Sequence, residues 1–388
     1  MLLGFCLPIA TLPATRKSAS SDYRNKKYLL TTTRPHWSTL VKCAAATGLI
    51  VGLTYYYWPT KVQDGFTAQL HLHTPLPTDV INLITEYTAD YKLKFALKDP
   101  TPDIIPPWVQ AAAFSPDGKR ILTANFSGTA IIWDAHNKYP LRILKGHREN
   151  IFSAAFSPDG KKTVTAGYDC TARIWRVDDG HLLHILSTPG CFIRAAAFSP
   201  DSKKVVTGDS VGSARIWDTG GAHLLQRFTA NTAPLCSAAF SPDGSKIITA
   251  HCDRLARIWN SENGQPMQTL IGHTDAVTSA NFSFDGSRIV TSSSDHTACI
   301  WNAGNGQAIH TLEGHTDKVN SANFSFDGSR IVTSSDDCTV RIWNAGNGQA
   351  IQTLEAPDMV NSAVFRSDDQ AIITADSKGA ARIWCPMV

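Results

Sequence analysis

The sequence predicts an all-β fold built from one small sheet repeated seven times, and two observations carry that prediction. Seven tryptophans, Trp133, Trp175, Trp217, Trp259, Trp301, Trp343 and Trp384, stand 42, 42, 42, 42, 42 and 41 residues apart. A period of this length means an array of one supersecondary unit. Within each period the chain reads as an apolar run, a Ser-Pro-Asp-Gly-type turn, a β-branched run, a polar turn and a segment of the Ala-Arg-Ile-Trp type. Strand-length runs separated by turn residues, with no helical periodicity between them, make a four-stranded antiparallel sheet.

Each Trp falls on the third strand of its unit. The fourth strands follow at Leu141 to Leu144, Leu182 to Leu186, Leu224 to Phe228, Met267 to Leu270, Ile309 to Leu312 and Ile351 to Leu354. Asp-Gly and Asn-Gly pairs, as at Asp285-Gly286 and Asn305-Gly306, are hairpin turns. These motifs resemble the WD-repeat family, and the resemblance covers roughly residues 93–388. It implies a seven-bladed β-propeller. The seventh unit has only four residues after Trp384 and so lacks an outer strand of its own. Residues 93–97 (LKFAL) have strand alternation and precede the first blade; they are expected to pair with the last blade, closing the ring and removing an open sheet edge.

The resemblance also implies a hydrogen-bonded tetrad in each blade, made by a His before the blade, a Thr or Ser on the second strand, an Asp in the next turn and the Trp. A Thr stands ten residues before every one of the seven Trp. The whole set occurs as His147, Thr165, Asp169 and Trp175; His273, Thr291, Asp295 and Trp301; and His315, Thr333, Asp337 and Trp343. Elsewhere it decays: Asn231 replaces the fourth His, and Ser127, Val211 and Lys378 replace the Asp. A Thr-Asp-His grouping can serve nucleophilic catalysis, but recurrence in three blades assigns it to structure. Ser279–Glu313 and Ser321–Glu355 differ at only five of 35 positions, the mark of internal duplication.

Ahead of the propeller the chain changes character. Residues 1–63 carry eight Lys or Arg against one acid, Asp22, a balance of +7 that leaves −4 on the remainder of a chain of formal charge +3. Residues 1–37 are basic, rich in Ser and Thr, and expected to be disordered. Residues 38–60 are the expected membrane anchor. Cys43 to Trp58 contain no charge over sixteen residues, and Thr39 to Val41 extend the span to residues 39–58 if Lys42 snorkels. Sixteen helical residues reach about 24 Å, against a hydrocarbon core of about 30 Å. Tyr55, Tyr56, Tyr57 and Trp58 resemble an interfacial aromatic belt. Basic residues on the amino side would place the propeller across the membrane, whereas unpaired cysteines favour a reducing compartment, so the topology stays open. Residues 61–92 form a linker holding an amphipathic helix at 78–89, where Leu76, Val80, Ile81, Leu83, Ile84 and Tyr87 share a face. Leu76-Pro77 and this helix resemble the opening of an F-box, truncated, which implies a ubiquitin-ligase substrate receptor as the rival reading.

No Gly-rich phosphate loop, metal-ligand spacing or C-x-x-C pair occurs, and a slightly acidic propeller argues against nucleic acid. We therefore expect no enzymatic activity, no cofactor and no metal. WD-repeat propellers bind partner peptides on the face bearing the turns before the first strand and after the second. The family's three exposed positions there map 25, 23 and 7 residues before each Trp. Blades 1–3 then present Trp108, Phe126, Phe152, Tyr168, Phe192 and Arg194, beside Gln110, Asn150 and Ser210. The other blades present Pro234, Cys236 and Cys252; Ala276, Thr278 and Ser294; Lys318, Asn320 and Asp336; and Met359, Asn361 and Ser377. Aromatic residues and Arg dominate interface energetics, so blades 1–3 are the expected partner site.

Overall fold

The computed structural model describes residues 28–32, 66–70, 91–98, 108–229 and 233–386, in two compact units. In the first, Tyr28–Thr32 pairs antiparallel with Phe66–Leu70. The sequence reading has no strand in either segment. Each is short and only partly β-prone, with Tyr28, Thr31 and Thr32 in YLLTT and Phe66 and Thr67 in FTAQL, so composition does not mark them. The expected anchor at 38–60 and the expected helix at 78–89 lie outside the described residues. Among the described residues no helix is long and apolar enough to cross a membrane.

The second unit, Lys92–Cys385, is a ring of seven four-stranded antiparallel sheets. Blade 1 comprises Val109–Phe114, Arg120–Asn125, Thr129–Asp134 and Pro140–Lys145, and blades 2 to 6 repeat that order. Blade 7 comprises Val360–Phe365, Ile372–Asp376 and Ala380–Pro386, and its fourth strand is Tyr91–Lys98. The expected closing strand is thus present and extends slightly beyond residues 93–97. The first strand of each blade touches that of the next, and that of blade 7 touches that of blade 1. Seven strands converging on one axis leave little room for side chains, which is why these inner strands read VQAAAF, IFSAAF, IRAAAF and LCSAAF. Serines there stitch neighbours together: Ser279 and Ser321 accept the amides of Ala322 and Ala363 in the following blade, each at 3.0 Å.

The apolar core lies between blades. Leu122, Ile132 and Leu144 of blade 1 pack with Ile151, Phe156 and Trp175 of blade 2, and equivalent clusters recur around the ring. At the closure, Leu97 joins Ile373 and Ile383 of blade 7 and Val109, Ile121 and Trp133 of blade 1. The turn between first and second strands is built by its own residues. In blade 1 the Ser115 hydroxyl donates to Asp117 at 2.6 Å and accepts the Arg120 amide at 2.9 Å, while Gly118 takes the left-handed conformation with φ 66°.

Leu97→Ala should cost about 2–5 kcal/mol, the range for truncating a buried leucine. A chain starting at residue 90 should unfold in one cooperative transition, and one starting at residue 99 should not, because blade 7 then exposes an unpaired edge. Equal melting curves for the two truncations would refute ring closure by this strand.

Candidate functional site

Two sets of polar and aromatic residues are candidates, one within each blade and one on a single face. Within the blades, each of the seven periodic Trp is buried and its indole N–H donates to the Thr ten residues earlier at 2.8–3.0 Å. In blades 2, 5 and 6 the chain of bonds continues. Nε2 of His147, His273 and His315 lies 2.7–2.8 Å from Thr165, Thr291 and Thr333, and Nδ1 lies 2.7–2.9 Å from Asp169, Asp295 and Asp337. An indole can only donate, so the Thr oxygen accepts from it while the Thr O–H donates a hydrogen bond to Nε2, and Nδ1–H donates to the carboxylate. This assignment needs a neutral imidazole. Burial holds His147 and His315 below the ordinary value of 6.5, against the opposing pull of Asp169 and Asp337. At Asp337 burial pushes the carboxyl upward, but the Thr339 hydroxyl and His315 outweigh it and bring it down to about 2. Every side-chain polar group of the three tetrads finds a partner within its own set, so the tetrads are structural.

The four blades without the tetrad are not simply decayed, as the sequence reading has it. Each carries a buried polar residue two positions after its Thr: Asn125, Asp209, His251 and Asp376. Asp209 is ion-paired with Arg215, and Asp376 accepts from Arg382 at 2.6 Å. His251 Nε2 lies 2.8 Å from Thr249 Oγ1, supplying from the second strand the imidazole that other blades bring from a preceding loop. Tetrad blades carry Gly167, Ser293 and Ser335 at this position, and at Gly167 a Cβ would come within 3.1 Å of His147 Nδ1. One space is filled from either of two directions. The signal was a polar residue after Thr-x, but Asn, His and two Asp share no motif, and the buried Ser293 and Ser335 of two tetrad blades are polar there as well.

The face is set by backbone. In all seven blades the amide 7 residues before the Trp donates to the carbonyl 25 before it, at 2.8–3.0 Å, as in Tyr168 to Asn150 and Ser210 to Phe192. The residue 23 before the Trp is the extra residue of a β-bulge in every blade. A bulge turns one side chain out of the alternation, which is why these positions can face away from the core.

Blades 2 and 3 bring four of the expected residues together. Tyr168 and Phe192 stack with centroids 4.5 Å apart, and Phe152 lies 6.1 and 6.4 Å from them. The Arg194 guanidinium sits 6.0 Å from the Phe152 centroid and 5.9 Å from that of Phe192. Trp108 and Phe126 form a separate pair at 5.3 Å in blade 1. Tyr168 is 45% and Trp108 41% exposed. The bulge residues of blades 5, 6 and 7 behave differently, because each donates to a carbonyl of the following blade. Thr278 bonds Val319 at 2.6 Å, Asn320 bonds Val360 at 3.0 Å and Asn361 bonds Val109 at 2.8 Å.

Repeated blades, the Trp–Thr bonds and ring closure together define a propeller of tryptophan-bearing repeats. The WD domain, G-beta repeat family matches residues 106–134, 138–176, 180–218, 222–260, 264–302 and 306–344, more than half of the chain, and the chain belongs to that family. The seventh blade falls outside the matched residues and is completed by structure. No curated protein matches the chain.

Acid should destabilise the propeller in a defined order. The unfolded histidines bind protons from about pH 6.5 downward while the buried His147 and His315 resist, so stability falls as pH drops through that value. A further loss follows between 3.8 and about 2 as Asp337 is protonated in the unfolded chain first. Urea midpoints measured from pH 7.5 to 5 should fall less steeply in His315→Asn than in the unsubstituted protein. Parallel slopes would show that His315 is not buried neutral.

Proposed function

We propose that the propeller is a non-catalytic scaffold that holds a protein or peptide partner on the face of blades 1–3. The observation that supports this most is the division among the bulge positions. Thr278, Asn320 and Asn361 are committed to inter-blade hydrogen bonds, whereas Phe152 and Arg194 belong to a half-exposed aromatic cluster with Tyr168 and Phe192. Among the described residues Arg194 has no carboxylate within ion-pair distance. An apolar or aromatic side chain with an acidic neighbour complements this surface: the ring packs on the exposed side of Tyr168 and the acid meets the guanidinium.

We further propose that residues 39–58 tether the propeller to a membrane, a reading supported by the uncharged run from Cys43 to Trp58 and its aromatic and basic flanks. The ubiquitin-ligase alternative rests on Leu76-Pro77 and the helix expected at 78–89.

Proximity labelling of the intact protein identifies the partner, and titration of the substituted proteins tests the face. Phe152→Ala and Tyr168→Ala should each weaken binding by about thirtyfold or more, about 2 kcal/mol, with little loss of stability. Ser294→Ala and Lys318→Ala, in blades 5 and 6 across the ring from blade 2, should leave affinity unchanged. Equal losses at both sets would remove blades 1–3 from the interface. For the anchor, charged residues at Leu49, Ile50 and Val51 should each cost about 2.5–3.5 kcal/mol of insertion, releasing the protein on carbonate extraction. An unsubstituted protein already soluble in carbonate would end the membrane reading.

A further inference from the structure

In blade 4 the bulge residue and the residue facing it are both cysteine. Elsewhere on the ring these two positions also meet: Asn320 Nδ2 reaches Asp336 Oδ1 at 2.6 Å, and Asn361 Nδ2 reaches Ser377 Oγ at 3.4 Å. The same register brings Cys236 Sγ to 3.3 Å from Cys252 Sγ. Cys236 is the residue that interrupts pairing between Leu235 and Ser237, and the Cys252 amide is held by the Pro234 carbonyl at 3.0 Å. Both thiols are partly open to solvent. Arg194 of blade 3, the cation of the aromatic cluster, donates from Nη1 to Cys236 Sγ at 3.8 Å. Among the described cysteines this is the one pair with its sulfurs in contact.

We propose that Cys236 and Cys252 form a redox-active dithiol, oxidised reversibly by low-molecular-weight disulfides to a disulfide within blade 4. A sulfur–sulfur bond is about 2.05 Å long, so closure moves the two atoms together by about 1.2 Å, within reach of small side-chain rotations. Backbone on both sides is fixed by the blade's own hydrogen bonds, so the sulfurs are held in register before the reaction.

Thiolate character assigns the order of events. The Cys236 thiol donates to Cys252 and lowers its pKa, burial opposes this, and the charge of Arg194 adds to the lowering. Cys236, by donating to Cys252 and by burial, is pushed up. Cys252, as thiolate, attacks one sulfur of the small disulfide; a Cys252–sulfur bond forms, the small disulfide breaks, and one small thiol leaves with the proton that Cys252 gave up. Cys236 then loses its proton and attacks Cys252 Sγ, expelling the second small thiol. Two protein thiols are oxidised to one disulfide, and one small disulfide is reduced to two thiols, with no other oxidant required. The reverse exchange restores the dithiol. Because Arg194 touches both this sulfur pair and the Phe152 and Phe192 rings, the reaction occurs at the border of the proposed partner face. The dithiol does not depend on that face holding a partner, and its test is separate.

The full chain is incubated with oxidised glutathione under native conditions, alkylated and mapped by mass spectrometry. The expected product is a peptide pair linked through Cys236 and Cys252, lighter by two hydrogens and restored by reductant, with the near-ultraviolet circular dichroism of the tryptophans retained. In Cys236→Ser, glutathione should accumulate on Cys252 as a mixed disulfide that the unsubstituted protein does not retain. In Cys252→Ser, Cys236 should take up no glutathione. The proposal is overturned if no linked pair forms, if the mixed disulfide persists on Cys252 equally in the unsubstituted protein, or if the link appears only once the tryptophan signal is lost.

Discussion

An indole N–H has one hydrogen-bonding option: it donates. Burying seven tryptophans therefore requires seven acceptors in the core, and a Thr hydroxyl ten residues upstream supplies each one. That single bond fixes the pairing of second and third strands, because a register slip of one residue would turn the Trp to the other side of the sheet. With the register fixed, the Trp packs between its own blade and the one before it, as Trp175 does against Leu122 and Leu144. The Thr proton still needs a destination. His147, His273 and His315 accept it in three blades, and in a fourth the Thr249 hydroxyl faces both the Arg257 carbonyl and His251 Nε2, whereas Asp209 and Asp376 fill the same region as members of ion pairs with Arg215 and Arg382.

The fold was legible because its signal is repeated. One Trp says little; seven at a constant period, each with Thr ten residues earlier, dictate strand length, register and blade number. The closing strand was legible too, since LKFAL alternates and an incomplete blade needs an edge partner. The substitutes for the tetrad were not. Asn125, Asp209, His251 and Asp376 occupy one position with three side-chain types, only Asp recurring, and only His251 bonds its Thr while the two Asp pair with Arg. The Tyr28–Thr32 and Phe66–Leu70 pairing was missed because neither strand has a repeat to support it.

On the face, position was legible and contact was not. Counting back from each Trp finds the bulge residue, but only the folded register shows that Phe152, Tyr168, Phe192 and Arg194 touch while Trp108 and Phe126 form their own pair. The same register makes Asn320 and Asp336, or Cys236 and Cys252, into partners. Seven equivalent bulges thus give one scaffold seven pairs whose chemistry varies independently. On three blades the bulge side chain bonds the next blade, whereas Phe152 and Arg194 join the aromatic cluster that we propose as the partner site. A site built this way sits on rigid sheet ends rather than long loops, which limits the ordering entropy lost on binding.

The closing strand also bears on how the chain acquires its structure during synthesis. Tyr91–Lys98 leaves the ribosome before any blade, yet its pairing partner, Ala380–Pro386, is made after all the others. Blades 1 to 6 can form in sequence as they emerge, each covering the apolar side of its predecessor. The strand that completes blade 7 must meanwhile stay unpaired for nearly the whole of translation, an apolar edge segment exposed to solvent and to chaperones. Contacts of such sequence separation are the slowest to form. The final event in folding is thus a capture of the oldest part of the domain by the newest, and a nascent chain stalled short of blade 7 would hold six finished blades and an unclosed gap.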